Sequence, residues 1–268
     1  MIATGFVDAA GHRLEFARHG AARADGRAMV LLHEGLGCIA LWRDFPQRLH
    51  AACGLPVVAY SRHGYGGSDI LEAPRRADFM HDEATQALPQ VLSALGIHHP
   101  VLVGHSDGAT IALVHAGRFP GVATAVVAMA PHLFVEPVCT EAIAAISQRF
   151  PDSDLPRRLA RYHADAERTF RGWADVWLSE PFSHFDIEPE VAASRCPILA
   201  IQGTDDEYGT LRQVQRIAEL RPGTAVRVLE GCRHSPHLDR PDEVVEAIAD
   251  FVGLRVDPDR VPSALRST

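Results

Sequence analysis

Residues 100–109 read Pro-Val-Leu-Val-Gly-His-Ser-Asp-Gly-Ala, an apolar run that leads into a serine flanked by glycines. The run predicts a buried strand, and the helical spacing of residues 109–119 predicts a helix directly after it. Gly104 and Gly108 fit the G-x-S-x-G pattern, in which a sharp strand-to-helix turn leaves no room for side chains beside the serine. The stretch therefore predicts that Ser106 emerges at the end of a strand as a candidate nucleophile.

Apolar strands and amphipathic helices alternate on both sides of this stretch. The alternation predicts an α/β fold, with a mostly parallel sheet of eight strands flanked by helices. The strands are predicted at 5–8, 13–18, 28–33, 56–61, 100–104, 122–129, 197–202 and 225–229. The helices between and after them are predicted at 39–52, 79–95, 109–119, 211–220 and 242–251.

The alternation is interrupted between the sixth and seventh predicted strands. From 131 to 194 the sequence has helical periodicity, many charges and few strand signals. A helical insertion at this point lies above the carboxyl edge of the sheet, where open α/β sheets bind their ligands. We therefore predict an α/β core formed by residues 1–130 and 195–255, a helical cap (lid) at 131–194 and a flexible tail at 256–268.

The composition limits the partners and the compartment. A formal net charge of -8 does not suit a nucleic-acid partner, because binding would release few counterions from phosphates. No apolar stretch approaches the roughly 18 residues that span a bilayer, and the first 16 residues lack the apolar run of a signal peptide. The five cysteines are widely spaced without a Cys-x-x-Cys pair, which indicates reduced thiols. We expect a cytoplasmic monomer or homodimer that acts on a small molecule, with no nucleic-acid or membrane partner.

Two later loops carry the groups that a serine nucleophile needs. Residues 203–208 read Gly-Thr-Asp-Asp-Glu-Tyr and residues 230–237 read Glu-Gly-Cys-Arg-His-Ser-Pro-His, each directly after a predicted strand. A catalytic serine requires a base and an acid that orients the base, here in the chain order serine, aspartate, histidine. Because both loops leave the sheet at the edge where Ser106 emerges, we predict Asp206 and His234 in these roles.

A neighbouring residue competes for each role. Asp206 is preferred to Asp205 because of its offset from Gly203, since an aspartate at the earlier position more often caps the following loop. His234 is preferred to His237 because it directly follows the glycine turn. The two histidines lie three residues apart without a third ligand, so we expect no metal ion, and the predicted roles of the serine, aspartate and histidine require no organic cofactor.

The loop after the strand at 28–33 is predicted to complete the site. Residues 33–37 read His-Glu-Gly-Leu-Gly, and the two glycines let the backbone approach a ligand closely. The backbone N–H of Gly35 and the backbone N–H of Asp107 are the predicted donors to an oxyanion. Cys38, which follows this loop, is expected to be a buried, inert thiol because no base adjoins it.

Further side chains are candidates for contact with a substrate. His132 follows the sixth strand at the start of the predicted cap, and Trp173 lies within the cap. Glu34 belongs to the donor loop, and Tyr208 follows the loop of the acid. Alternatively, His132 and Trp173 pack inside the cap without contact with a substrate, and Tyr208 covers Asp206.

A carboxylic acid, Asp107, directly follows the candidate nucleophile. In the first turn of a helix it complements the helix dipole and caps exposed N–H groups, a contribution of about 0.3–1 kcal/mol. Beside an oxyanion in a dry pocket, however, its charge opposes the charge that has to be stabilised. The side chain therefore either turns away and bonds within the protein, or projects into the acyl pocket and pairs with a cation on the substrate.

Together these loops resemble the α/β-hydrolase superfamily over residues 4–254. The resemblance rests on residues 33–37, 61–68 (Ser-Arg-His-Gly-Tyr-Gly-Gly-Ser), 104–108, 203–206 and 231–234. Within the superfamily, the Ser-Asp-Gly elbow and the cap are similar to the biphenyl hydrolase-like, or valacyclovir hydrolase, branch. The cap sequences concerned are Met-Ala-Pro-His-Leu-Phe-Val-Glu at 129–136 and Gly-Trp-Ala-Asp-Val-Trp at 172–177. Two positions depart from the usual pattern, because Glu34 stands where relatives have glycine and Ser61 where many have aspartate.

The resemblance implies an enzyme with Ser106 as nucleophile, Asp206 as orienting acid and His234 as base. Such an enzyme hydrolyses a small carboxylic ester, thioester or activated amide through an acyl-enzyme, and favours an amino group near the carbonyl if Asp107 faces the acyl pocket. Two alternatives keep the same three residues: a hydrolase of the carbon–carbon bond of a ring-cleavage product, and a small-molecule receptor with little turnover. One scaffold hosts many reactions, so fold membership leaves the substrate open.

Overall fold

The structure is a computed structural model that describes residues 2–255, so the tail predicted at 256–268 lies outside the described residues. Within them the sheet has eight strands: β1 (Ile2–Ala9), β2 (His12–His19), β3 (Arg27–Leu32), β4 (Val57–Tyr60), β5 (His99–His105), β6 (Ala125–Met129), β7 (Ile198–Gly203) and β8 (Ala225–Leu229). Their order is β1-β2-β4-β3-β5-β6-β7-β8, with antiparallel pairing of β1 with β2 and of β2 with β4, and parallel pairing elsewhere. The predicted α/β fold with a mostly parallel eight-stranded sheet is confirmed.

Helices cover both faces of this sheet. They are α1 (Phe45–Cys53), α2 (Phe79–Asp82), α3 (Leu88–Ala94), α4 (Asp107–Arg118), α5 (Pro137–Arg149), α6 (Leu155–Leu159), α7 (Ala166–Trp177), α8 (Glu188–Ala193), α9 (Arg212–Leu220), α10 (Pro236–Asp239) and α11 (Pro241–Arg255). Within residues 2–255, none of them combines the length and the apolar character that a bilayer span requires.

The helix predicted at 39–52 is divided into two pieces. A short 3₁₀ turn covers Ile39–Trp42, and α1 begins only at Phe45. Between them Arg43 has a φ of 52°, in the left-handed region that a right-handed helix cannot continue. The helix predicted at 79–95 is interrupted more mildly, by a π-helical turn at Glu83–Ala87 between α2 and α3.

Two apolar cores lie on opposite faces of the sheet. Because successive strand residues point to opposite faces, Leu102 of β5 belongs to one core, whereas Val101 and Val103 belong to the other. The first core packs against α4, and the second packs against α1 and α11. Parallel strands buried on both faces hold their register firmly, so the loops that leave their carboxyl ends have fixed positions relative to one another.

The chain between β6 and β7 forms helices α5 to α8. Aromatic contacts hold this segment together: Phe150 stacks on Phe170 with ring centroids 3.7 Å apart, and Trp177 packs on Phe182 at 4.7 Å. A single antiparallel bridge pairs Phe134 with Asp186 in the described part of the segment. The helical character expected for this insertion is thus observed, while the division into core and cap at 131 and 194 stays a prediction.

Candidate active site

Ser106 occupies a backbone turn that few non-glycine residues adopt. It is the single residue between β5 and α4, and its φ of 53° and ψ of −120° reverse the chain direction there. A conformation of this kind costs of order 1–3 kcal/mol and persists only where the surrounding structure holds it. Here the Ser106 N–H donates to the Met129 carbonyl at 2.9 Å, which fastens the turn to the end of β6.

The two flanking glycines are required by close backbone packing. A Cβ placed on Gly104 would overlap backbone atoms of Gly108 and Ala109. One placed on Gly108 would overlap the carbonyl group of Leu32, at the end of the neighbouring strand β3. Backbone atoms cannot move aside as a flexible side chain would, so the turn is seated tightly between β3 and β5.

His234 and Asp206 form a hydrogen-bonded pair. His234 Nδ1 donates to the carboxylate of Asp206, with distances of 2.8 and 2.9 Å to its two oxygens. The carboxylate also accepts from the N–H groups of Tyr208 (2.8 Å) and Gly209 (3.2 Å) and from Gln202 Nε2 (2.6 Å). Burial raises the pKa of Asp206, but the hydrogen bond and charge of His234 together with the Tyr208 N–H lower it below its usual value. An ionised Asp206 holds the proton on Nδ1, which leaves Nε2 of His234 as the basic nitrogen.

Asp205 and His237, the alternatives to Asp206 and His234, make different contacts. The side chain of Asp205 accepts a hydrogen bond from the hydroxyl of Thr204 at 3.1 Å. His237 is buried beneath the loop, and burial lowers the pKa of its ring to about 3. The structure therefore brings together Asp206 and His234, the pair that the loop positions favoured.

One cavity of about 110 Å³ is lined by both His234 and Ser106. It is lined by Glu34, Gly35, Leu36, Ser106, Asp107, His132, Cys139, Ile143, Trp173, Trp177, Tyr208 and His234. Every residue predicted to contact a substrate is among them. Within residues 2–255, no hydrogen bond joins Ser106 Oγ to His234, and catalytic hydrogen bonds in general often tighten only when a substrate is bound.

Two rings flank His234 within the cavity. The ring of Tyr208 lies 4.7 Å from that of His234, and the ring of His132 lies 5.8 Å away, centroid to centroid. Burial raises the pKa of Tyr208 to about 12 and lowers the pKa of His132 to about 3. Both rings are therefore neutral at pH 7, so neither supplies a charge to the site.

The predicted oxyanion donors belong to two residues that line the cavity, and within residues 2–255 neither donor has another partner. The Glu34 carbonyl, in the peptide before Gly35, accepts from His33 Nδ1 at 2.7 Å and from Arg62 Nη2 at 3.0 Å. In a trans peptide the N–H points away from the carbonyl, so the Gly35 N–H is directed away from these two side chains. Within residues 2–255, neither this N–H nor that of Asp107 donates a hydrogen bond, and both residues line the cavity.

The carboxylate of Asp107 is turned into the protein. Its Oδ1 accepts from the indole N–H of Trp177 at 3.2 Å, and its Oδ2 lies 4.0 Å from Nη2 of Arg62. Both charged side chains are essentially without solvent exposure. Burial raises the pKa of Asp107, and the nearby Arg62 and the Trp177 hydrogen bond act against that rise. The fixed charge beside the nucleophile is thus partly balanced by a buried guanidinium.

Several residues of the site had no predicted role. Arg62 donates to the His33 carbonyl at 2.7 Å as well as to Glu34, and its signal was an arginine within a glycine-rich loop. Gln202 is the polar end of an otherwise apolar strand, a pattern that indicated a buried partner. Cys139 and Ile143 lie four residues apart on α5, and that spacing alone does not tell which surface they face.

Within residues 2–255, neither a metal site nor a larger cleft beside α7 competes with this cavity. Within residues 2–255, no three His, Cys, Asp or Glu side chains are grouped so that they could hold a metal ion. Cys38 is buried, and burial raises the pKa of its thiol to about 11. A larger cleft of about 440 Å³ lies between residues 71–75 and a different face of α7, and Ser106 does not line it. The small cavity is therefore the candidate active site.

Comparison with known proteins places the chain among hydrolases. The model of the alpha/beta hydrolase family matches residues 29–247. A proline iminopeptidase from Heyndrickxia coagulans is 24% identical, over 94% of this chain and 99% of the relative. The serine hydrolase BPHL from Homo sapiens is 25% identical, over 73% of this chain and 69% of the relative. Among solved structures, E-2-(acetamidomethylene)succinate hydrolase superposes with a TM-score of 0.72 at 21% identity, covering 94% of this chain and 99% of that one, which is a likeness of fold.

Proposed function

The chain belongs to the alpha/beta hydrolase family, and we propose that it is a serine hydrolase of a small carboxylic ester, thioester or activated amide. One observation carries the proposal: the strained Ser106 and His234 border the same small cavity, and Asp206 is hydrogen-bonded to His234 from a third loop of the sheet. The predicted resemblance to the superfamily is confirmed, and the presence of BPHL among the relatives agrees with the predicted branch.

The position of the proton on His234 determines which of its ring nitrogens acts as the base. Because Asp206 keeps the proton of His234 on Nδ1, Nε2 takes the proton of Ser106 Oγ as this oxygen attacks the carbonyl carbon. Asp206 then stabilises the imidazolium, which returns the proton to the leaving group. Water attacks the acyl-enzyme by the same route and releases the acid. A positioned base of this kind contributes about 10²–10⁴-fold to the rate.

The negative charge that develops on the carbonyl oxygen has two proposed partners. The N–H groups of Gly35 and Asp107 donate to it, and each donor contributes on the order of 10²–10³-fold. Gly35 has to be a glycine for a further reason, because a Cβ there would overlap the indole of Trp173. The indole thus closes the cavity directly against the donor loop, where it excludes water from the developing charge.

The cavity limits the size and charge of the acyl group. An engineered cavity of about 150 Å³ holds one benzene molecule, so a space of about 110 Å³ suits an acyl group of a few heavy atoms. The lining includes the acidic residues Glu34 and Asp107 and, among the described residues, no arginine. This distribution of charge favours a neutral or cationic acyl group over an anionic one, which a ring-cleavage product with a carboxylate near the scissile bond would present.

A fluorophosphonate probe tests the proposal directly, because it reacts with a serine that a neighbouring base activates. We expect one covalent adduct on the folded protein, located at Ser106 by peptide mass spectrometry, and steady hydrolysis of short-chain chromogenic esters. Probe attachment at another residue, or none, would contradict the proposal. A stoichiometric burst of product without subsequent turnover would favour the receptor alternative instead.

Selection for a cationic acyl group rests on Asp107. Since its carboxylate is buried, we propose that it acts through its charge, without direct contact with the substrate. The variant Asp107→Asn is expected to lower kcat/KM about tenfold, or ~1.4 kcal/mol, for an alanine ester, and by less than about threefold for the matched propionate ester. The measurement is a comparison of kcat/KM on the two esters below the pKa of the amino group.

The matched control for this comparison is Asp175→Asn, an exposed aspartate of α7. It removes the same charge outside the cavity and is expected to leave the ratio of the two esters unchanged. Equal losses on both esters in Asp107→Asn would show that this carboxylate has a structural role alone.

A further inference from the structure

We propose that Glu34 and His105 form a buried ion pair that positions two loops around Ser106, a role that rests on the proposed function. These are the donor loop, residues 33–37, and the base loop, residues 230–237, which carries His234. His105 is the last residue of β5 and precedes the nucleophile, and its side chain has almost no solvent exposure. Glu34 belongs to the loop after β3 and keeps about a quarter of its exposure. In this proposal Glu34 is a positioning residue whose carboxylate serves the protein, although a contact with the substrate was predicted for it.

The hydrogen bonds of His105 determine where its protons are. Nε2 lies 2.7 Å from the backbone carbonyl oxygen of His234, and a carbonyl only accepts, so Nε2 carries a proton. Nδ1 lies 3.4 Å from Oε2 of Glu34, long for a hydrogen bond, and has no other partner within residues 2–255. A neutral ring would direct its lone pair at this carboxylate. A second proton, on Nδ1, converts the repulsion into an attraction and makes His105 an imidazolium.

Within residues 2–255, Glu34 is the one carboxylate in ion-pair contact with this ring. The other titratable and charged groups around the pair are His33, Arg43, His132, His163, Asp206, His234 and His237. Burial is the main cause that lowers the pKa of His132 and of His237 to about 3, so both are neutral at pH 7. Burial raises the pKa of Glu34, but its contact with His105 brings that pKa well below the usual range. Glu34 is therefore the negative charge that faces His105.

One ring then connects three loops of the site. His105 is covalently next to Ser106, bonds to the peptide of His234, and attracts the side chain of the residue before Gly35. The rings of His105 and His234 are also in contact, with centroids 5.1 Å apart. Loss of the charge on Glu34 releases the donor loop from this arrangement, and a displacement of about 1 Å in a catalytic group can cost about 10²-fold in rate.

The protonation of His105 is measured by NMR on protein labelled with ¹⁵N-histidine, with the His105→Gln variant assigning the signals. At pH 7 we expect both ring nitrogens of His105 to be protonated in the unmodified protein. In Glu34→Gln we expect a neutral ring with its proton on Nε2. A neutral His105 in the unmodified protein would overturn the proposal. The spectrum requires no turnover, so it stands even if the proposed function fails.

The positioning role is measured by kinetics on a neutral ester. Glu34→Gln is expected to lower kcat by about 10–100-fold and to change KM by less than about twofold, because the donors act mainly in the transition state. Glu141→Gln, an exposed glutamate of α5, is the matched control and should keep the original kcat. An unchanged kcat in a folded Glu34→Gln variant would overturn the role. Absence of esterase activity in the unmodified protein would contradict the proposed function and leave the ion pair to be judged by its spectrum.

Discussion

Replacement of Ser106 by alanine is expected to lower kcat by about 10⁵–10⁶-fold on every ester that the protein hydrolyses. Alanine removes the attacking oxygen but keeps the cavity, the pair Asp206–His234 and the two donor N–H groups. Substrate should therefore still bind, with a dissociation constant close to the original KM if chemistry limits turnover. Residual hydrolysis would come from the donors and from binding alone. The measurement compares kcat at high protein concentration after removal of contaminating esterases.

The serine variant needs a control for the fold and one for the chemistry. Ser93→Ala removes an exposed hydroxyl from α3 and should retain full activity. Circular dichroism and thermal unfolding of Ser106→Ala should match those of the unmodified protein, because alanine is no less able than serine to adopt the turn. Activity above about 1% in Ser106→Ala would place the nucleophile elsewhere. The thiol of Cys139 in the same cavity is a poor alternative nucleophile, because burial raises its pKa strongly.

Replacement of Asp206 by asparagine is expected to lower kcat by about 10⁴-fold. The amide keeps the volume of the side chain but offers an N–H group where the carboxylate only accepted hydrogen bonds. His234 then prefers the tautomer with its proton on Nε2, which cannot take the proton of Ser106 Oγ. The imidazolium would also lose its stabilising charge. A pH–rate profile on a chromogenic ester, compared with that of the unmodified protein, provides the measurement.

Asp205→Asn is a stringent control for this variant. It makes the same chemical change one residue away, on a side chain that bonds to Thr204 rather than to His234. We expect kcat to remain within about twofold of the original value. If the two asparagine variants lost activity equally, the carboxylate of Asp206 would not be the group that orients the base.

The location of the site could be predicted because the carboxyl ends of parallel strands lie at the same edge of the sheet. Ser106, Asp206 and His234 follow β5, β7 and β8, and parallel pairing aligns the carboxyl ends of these strands. Glycines mark the turn in each loop, so the loops could be recognised without any knowledge of their contacts. Alternation of apolar strands and helices was enough to predict the sheet, since burial on both faces requires it.

The orientation of the side chains could not be predicted in the same way. Asp107 bonds to Trp177, which lies 70 residues later in the chain, and packing of α7 decides that contact. The contact of Glu34 with His105 depends likewise on how two side chains turn within the core. The break at Arg43 was missed because a single left-handed residue does not disturb apolar periodicity. Local patterns describe an element and its exposed side, whereas these features arise from tertiary packing.

The reacting groups and the walls of the cavity come from different parts of the chain. Ser106 and His234 belong to loops of the sheet, whereas Cys139, Ile143 and Trp173 project from α5 and α7. Mutations in these two helices can therefore reshape the cavity while Ser106, Asp206 and His234 are inherited unchanged. Descendants of this protein could acquire new substrates through such changes without rebuilding the catalyst, and laboratory evolution of its specificity should begin at positions 139 and 143.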